Sequence, residues 1–261
     1  TTVAFDQSAG NIESAVIFSN GNVFFTQRNK CYKITDGLAG APTEVTALNS
    51  DGSDYEPENA DQLFRAFSNL KIETIANKEL VVWGAYNNII TSGSPSNIWR
   101  MYDDCIPKLL EQGTDRHFHN IAFDGTNTWY LLRGDGTGAG NVIKKIEYNS
   151  TTEAFTISDI TNTLLGSRYF SAINIVNEYA YIGEDYDAGI AKVYRCLVAD
   201  LNDSSKWTEI YSGLSGKTPM TISLNSDGKG VLCGWNHIVV TSDFFDTYKY
   251  FDTGYHHVKI K

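Results

Sequence analysis

Four short apolar runs, each closed by a glycine, recur along this chain about every fifty residues, and no other feature limits the fold so strongly. The runs are Leu80-Val81-Val82-Trp83-Gly84, Trp129-Tyr130-Leu131-Leu132-Arg133-Gly134, Tyr179-Ala180-Tyr181-Ile182-Gly183 and Val231-Leu232-Cys233-Gly234. Their glycines lie 50, 49 and 51 residues apart, a period that belongs to propellers, solenoids or arrays. A turn-forming pair precedes each run: Asn77-Lys78, Asp124-Gly125, Asn177-Glu178 and Asp227-Gly228. Such residues tolerate positive φ and close tight hairpins. A fifth copy stands at the front, with Ala15–Phe18, the turn Asn20-Gly21, and Val23–Thr26. It lacks the closing glycine, and the acidic polar stretch Asp51–Asp61 separates it from the next copy.

Each copy continues in the same way. Third strands are expected at Cys31–Thr35, Ile98–Tyr102, Val142–Ile146, Lys192–Cys196 and Ile238–Thr241, leading to Asx turns near Asp36, Asp103, Asn149, Asp200 and Asp243. Fourth strands follow at Thr43–Ala47, Ile106–Leu110, Phe155–Ile160, Trp207–Tyr211 and Tyr248–Asp252. The innermost strands are expected at Ala15–Phe18, Ile72–Ala76, Asn120–Phe123, Ala172–Val176 and Thr221–Leu224. Four short antiparallel strands, five times over, define an all-β chain, a five-bladed β-propeller of four-stranded antiparallel blades. A blade has two apolar faces and cannot bury them alone, so one domain spanning 1–261 is expected, with blades near 13–50, 67–113, 116–164, 168–213 and 217–254. Spare terminal strands at 2–5 and 255–260 are expected at the ring closure, where pairing removes an exposed edge. One short helix is expected over Ala60–Ser68, with Leu63, Phe64 and Phe67 on one side.

Composition narrows the function. Hydrophobic residues make up 42% and aromatics 13% of 261 residues, enough for a packed core rather than a disordered chain. The net charge of −10 repels phosphate backbones and anionic lipid, which argues against nucleic acid as a partner. No apolar run reaches the roughly 18 residues of a helical span, so no membrane insertion is expected. Thr1–Phe5 lacks a basic segment followed by an apolar one, so no signal peptide is expected in this chain. Cys31, Cys105, Cys196 and Cys233 form no C-x-x-C pair and are expected as buried thiols on strands.

The repeated unit resembles Asp-box (BNR-like) propellers, and is similar to propeller modules of phage tail and other virion proteins. Ile238–Tyr248 carries the resemblance best. There Ser242 and Asp243 stand in for the Ser-x-Asp element without the intervening residue, and Asp246 and Tyr248 occupy the usual Gly and Trp places. Trp207 holds the aromatic place in the fourth copy. The resemblance implies a propeller; function must be argued from the site.

Catalytic readings meet specific obstacles. The Asp-box family includes sialidases, which need clustered arginines, a tyrosine nucleophile and acidic helpers. Of seven arginines, Arg116, Arg133 and Arg168 fall near loops or strand ends, but no family motif selects them. Glycoside hydrolysis uses two carboxylates, and the expected inner strands contain one, Glu73. Thr1 superficially resembles an N-terminal-nucleophile peptidase, yet that family's acidic residue after the first strand is missing. The loop Glu184-Asp185-Tyr186-Asp187-Ala188-Gly189 offers three carboxylates without the ligand spacing of a known Ca²⁺ loop and is expected as a solvated acidic loop, and His117 and His119 lack a third ligand nearby. No catalytic residue, metal or cofactor is therefore assigned.

Recognition remains. Loops on a rigid scaffold carry binding residues, and the candidate ligand-binding set is Tyr86, Arg116, His117, Arg168, Tyr169, Asp185, Asn236 and His256. Tyr, His, Asn and Asp suit both sugars and protein interfaces. The expectation is a non-catalytic recognition or structural propeller of a larger virion or tail assembly, extracellular or in the virion, with protein subunits or a surface glycan as partner. The alternative is a glycan-active hydrolase of the propeller glycosidase or sialidase type.

Overall fold

A computed structural model describes residues 12, 14–27, 30–35, 39–55, 70–86, 96–113, 117–133, 141–185, 190–215, 219–234 and 237–252. They form five four-stranded antiparallel sheets, each built from strands consecutive in the chain. The first sheet holds β1 (Ser14–Ile17), β2 (Val23–Gln27), β3 (Lys30–Ile34) and β4 (Thr43–Val45). The second holds β5 (Glu73–Ile75), β6 (Lys78–Gly84), β7 (Ile98–Tyr102) and β8 (Lys108–Glu111). The third is β9 (Phe118–Phe123), β10 (Thr128–Arg133), β11 (Val142–Asn149) and β12 (Ala154–Ile160). The fourth is β13 (Phe170–Val176), β14 (Tyr179–Glu184), β15 (Ile190–Leu197) and β16 (Thr208–Ser215). The fifth is β17 (Pro219–Leu224), β18 (Gly230–Gly234), β19 (His237–Thr241) and β20 (Tyr248–Asp252). Helical structure among the described residues is limited to short 3-10 turns such as Leu165–Ser167 and Val198–Asp200. This is the fold class of a five-bladed β-propeller. The expected terminal strands 2–5 and 255–260 and the helix over 60–68 lie outside the described residues.

The hairpin between the first two strands of each sheet follows its turn residues. Val176 pairs with Tyr179 around the two-residue turn Asn177-Glu178, both at positive φ. In the second sheet Ile75 pairs with Lys78, so the turn is Ala76-Asn77, one residue earlier than expected. The first and fifth sheets use five-residue loops of one pattern. Phe18 N–H bonds Asn22 O and Asn225 N–H bonds Lys229 O, while Gly21 and Gly228 bond back to the first residue of each loop at positive φ.

Two of the recurrent closing glycines have a steric cause. A Cβ on Gly84 would lie 2.4–2.5 Å from three side-chain atoms of Phe118, the first residue of the next sheet. A Cβ on Gly183 would lie 2.8 Å from Cβ of Pro219, again the first residue of the next sheet. Hydrogen provides the space that lets the following strand sit close.

The chain divides into two compact units, residues 1–118 with 148–155, and residues 119–147 with 156–261. In the first, Phe24, Trp83, Trp99 and Met101 are buried in one cluster, with ring centroids 5.9 Å apart for Phe24–Trp83 and 6.5 Å for Trp83–Trp99. In the second, one cluster gathers Leu132, Ile143, Phe170, Ile182 and Trp207. Another gathers Tyr181, Val193, Tyr211, Ile222, Leu232 and Val239. Inward residues alternate along β17, as a strand with one covered face requires.

Two local expectations need correction. Cys31 and Cys196 are buried on strands, Cys233 lies on β18 but is only half-buried, and Cys105 sits buried in the loop after β7 at φ 60°. In the last sheet the hydroxyl partnering Asp243 is that of Thr241, two residues earlier, rather than Ser242. Thr241 Oγ1 accepts from the N–H groups of Asp243 (3.2 Å) and Phe245 (2.9 Å) and donates to Thr247 O (2.9 Å). Asp243 accepts from Thr247 N–H (2.8 Å) and its hydroxyl (2.5 Å). This network holds Phe244 and Phe245 at φ 58° and 71°, a conformation that bulky residues rarely adopt.

Candidate functional site

In the second unit the start of β13 and the end of β14 assemble a polar cluster. The turn Leu165–Ser167 is capped by Asn162, whose Oδ1 accepts from Leu165 N–H at 2.8 Å. Arg168 then leaves the turn in extended conformation. Phe170 pairs with Glu184 but Ala172 pairs with Gly183, so Ser171 is an extra residue and β13 is bulged at its start. Bulges re-aim side chains and recur beside functional sites. Strand β17 is bulged at the same place, between Pro219 and Thr221. Ser171 Oγ donates to Pro219 O, and Asn120 Nδ2 to Met220 O at 3.3 Å, which ties these inner strands together.

Glu184 is the centre of the cluster and only 1% exposed. Its Oε1 accepts from Arg168 Nη1 at 2.5 Å and from the Tyr194 hydroxyl at 3.0 Å, and its Oε2 accepts from Lys192 N–H at 3.1 Å. Burial, together with the neighbouring Glu184 carboxylate, pushes the Tyr194 phenol well above its ordinary pKa and keeps it a donor. A buried carboxylate needs such partners to remain charged. Beside it, Asp185 N–H bonds Tyr169 O at 2.8 Å, and Asp185 Oδ2 lies 3.8 Å from Nε2 of buried His119. Asn141 Nδ2 holds Arg168 O at 3.0 Å.

Three expected ligand-binding residues, Arg168, Tyr169 and Asp185, thus meet in one place. Tyr86 and His117 meet in the first unit, with ring centroids 4.1 Å apart. Arg116, Asn236 and His256 lie outside the described residues. Reading Glu184 as part of a solvated acidic loop is overturned, because it ends β14 and is enclosed. Tyr194 is not singled out by the sequence, and Glu184 only as a carboxylate of that acidic loop. The available signal was an acid directly after a closing glycine, where the strand pattern demands an apolar or neutral residue. Among the described residues, no three metal-ligating side chains come together.

No family model matches the sequence, and no curated protein is similar to it. Solved structures with a similar fold are numerous. They include a TolB-like protein from Agrobacterium tumefaciens, with TM-score 0.51 and 11% identity over 92% of this chain and 80% of that one. A streptogramin B lyase matches with TM-score 0.54 and 14% identity over 92% of this chain and 68% of the other. An α-L-arabinanase from Penicillium chrysogenum, complexed with arabinobiose, gives 0.54 and 10% over 94% and 82%. At such identities the likeness establishes the propeller fold alone.

Proposed function

We propose that this chain is a non-catalytic recognition or structural propeller, a single domain within a larger assembly of the virion or tail type, contacting protein or glycan outside a cell. The observation supporting this reading is the enclosure of Glu184 among fixed partners. Two-carboxylate glycoside hydrolysis requires a pair free to protonate, attack or activate water, and a sialidase requires an accessible tyrosine nucleophile, whereas Tyr194 is buried. Glu184 instead meets a guanidinium, a phenol and a backbone amide, which suits a scaffold that fixes Arg168 and Tyr169 in place. Exposed Tyr248, Tyr250 and Phe251 on the last strand of the fifth sheet give a surface of the kind that protein interfaces favour. The Thr241-x-Asp243 turn supports kinship with Asp-box propellers. A glycan array paired with a hydrolysis assay tests the proposal. Binding without turnover is the expected result, and turnover of any bound glycan would overturn it in favour of a hydrolase.

A further inference from the structure

The second unit also carries an open cleft of about 710 Å³ beside the third sheet, within the ~300–1,000 Å³ typical of small-molecule sites. Tyr130 of β10, Lys145 of β11, and Asp159 and Thr161 at the end of β12 line it together with Ala199 and Asn202. Its walls are preformed. Asn162 Nδ2 donates to Leu201 O at 2.7 Å, and the Thr163 and Ser204 hydroxyls meet at 2.6 Å. Ile160 and Val198 pack onto the core beneath.

The chemistry of the lining selects against ions. Asp159 is paired with Lys144 at 2.6 Å and Lys145 with Glu147 at 2.8 Å, so a charged ligand meets compensated partners. Burial, then the carboxylates of Asp124 and Glu147, push the Tyr130 hydroxyl up to about 12 and keep it protonated. Two hydroxyls and a carboxamide supply both donors and acceptors. The geometry points to this cleft as the binding site of an uncharged oligosaccharide, whose hydroxyls match that mixture. This assignment rests on the recognition reading above and adds a ligand class and a location separate from the Arg168 cluster.

The test uses the intact chain against an array of neutral, sialylated and sulfated glycans, followed by titration calorimetry with the best neutral binder. Ala199 is exposed, so Ala199→Trp fills the cleft without disturbing the core. Tyr130→Phe and Asn202→Ala remove single polar groups, and thermal unfolding checks each variant. Neutral glycans should be preferred. Ala199→Trp should weaken binding by roughly tenfold or more, Tyr130→Phe and Asn202→Ala by roughly three- to tenfold each, and Lys30→Ala, at an exposed position that does not line the cleft, not at all. Loss of binding in Arg168→Ala with none in Ala199→Trp overturns this inference and leaves the recognition reading standing. A preference for anionic glycans, or no glycan bound, also overturns it. The recognition reading itself falls only if bound glycan is hydrolysed.

Discussion

Replacing Gly84 by alanine probes the packing that sets the repeat. The added Cβ would sit 2.4–2.5 Å from Cγ, Cβ and Cδ2 of Phe118, about 1 Å inside ordinary contact distance. Phe118 is 2% exposed, and its N–H bonds Ala85 O at 3.1 Å, so neither ring nor backbone can simply withdraw. Overpacking of this kind costs ~1–3 kcal/mol, and the contact with three atoms of an anchored ring places Gly84→Ala at the upper end, about 3 kcal/mol. Gly125→Ala is the control: its φ is +85° and nothing lies within 4 Å of a new Cβ, so only the left-handed penalty of ~1–2 kcal/mol applies. Urea unfolding measures both, and the midpoint should fall with little change in slope. Phe118→Ala alone should cost ~3–5 kcal/mol. Combined with Gly84→Ala, the loss should be smaller than the sum by at least about 1 kcal/mol, because the clash partner is gone. A Gly84→Ala variant within about 0.5 kcal/mol of the parent, or strict additivity in the double variant, would refute the steric account.

Glu184→Gln should destabilise by roughly 1–3 kcal/mol, less than a fully enclosed pair, because the Arg168 side chain is 41% exposed; urea midpoints check this. Burial raises the Asp124 carboxyl, but bonds from the N–H groups of Thr126, Asn127 and Thr128 and from the Thr126 hydroxyl outweigh it and hold the pKa below the ordinary value. Its stabilisation is therefore complete above the unfolded value of ~3.9 and lost as pH falls through the lower folded value. Asp124→Asn should flatten the decline of the melting temperature below about pH 4. Burial pushes the Cys105 and Cys196 thiols up to about 12 and raises Cys31 and Cys233 as well. A thiol reagent at neutral pH should therefore label the native chain slowly and all four cysteines fully once urea unfolds it.

The strand plan was legible because second strands covered on both faces read as short apolar runs and turns punctuate them: β7 and β20 fall where the residue pattern set them. Turn position was less legible. Ala76 takes positive φ beside Asn77, because cross-strand pairing of Ile75 with Lys78 outweighs the local preference of Asn-Lys. The function of Thr241 was hidden by an inexact spacing and emerges only from its hydrogen bonds. Arg168, Tyr169 and Asp185 were recognisable as loop-edge polar residues. The burial of Glu184 was not, since it depends on Arg168 from the segment before β13 and Tyr194 of β15 arriving beside it, and local sequence cannot display a long-range neutralisation.

The glycine at the end of a second strand and the residue opening the following sheet behave as socket and plug. Phe118 fills the hollow at Gly84, while the smaller Pro219 fills the one at Gly183. The repeats are consequently not interchangeable cassettes. A graft cut between sheets would part each socket from its own plug, so a transplantable module must carry the leading residue of its successor.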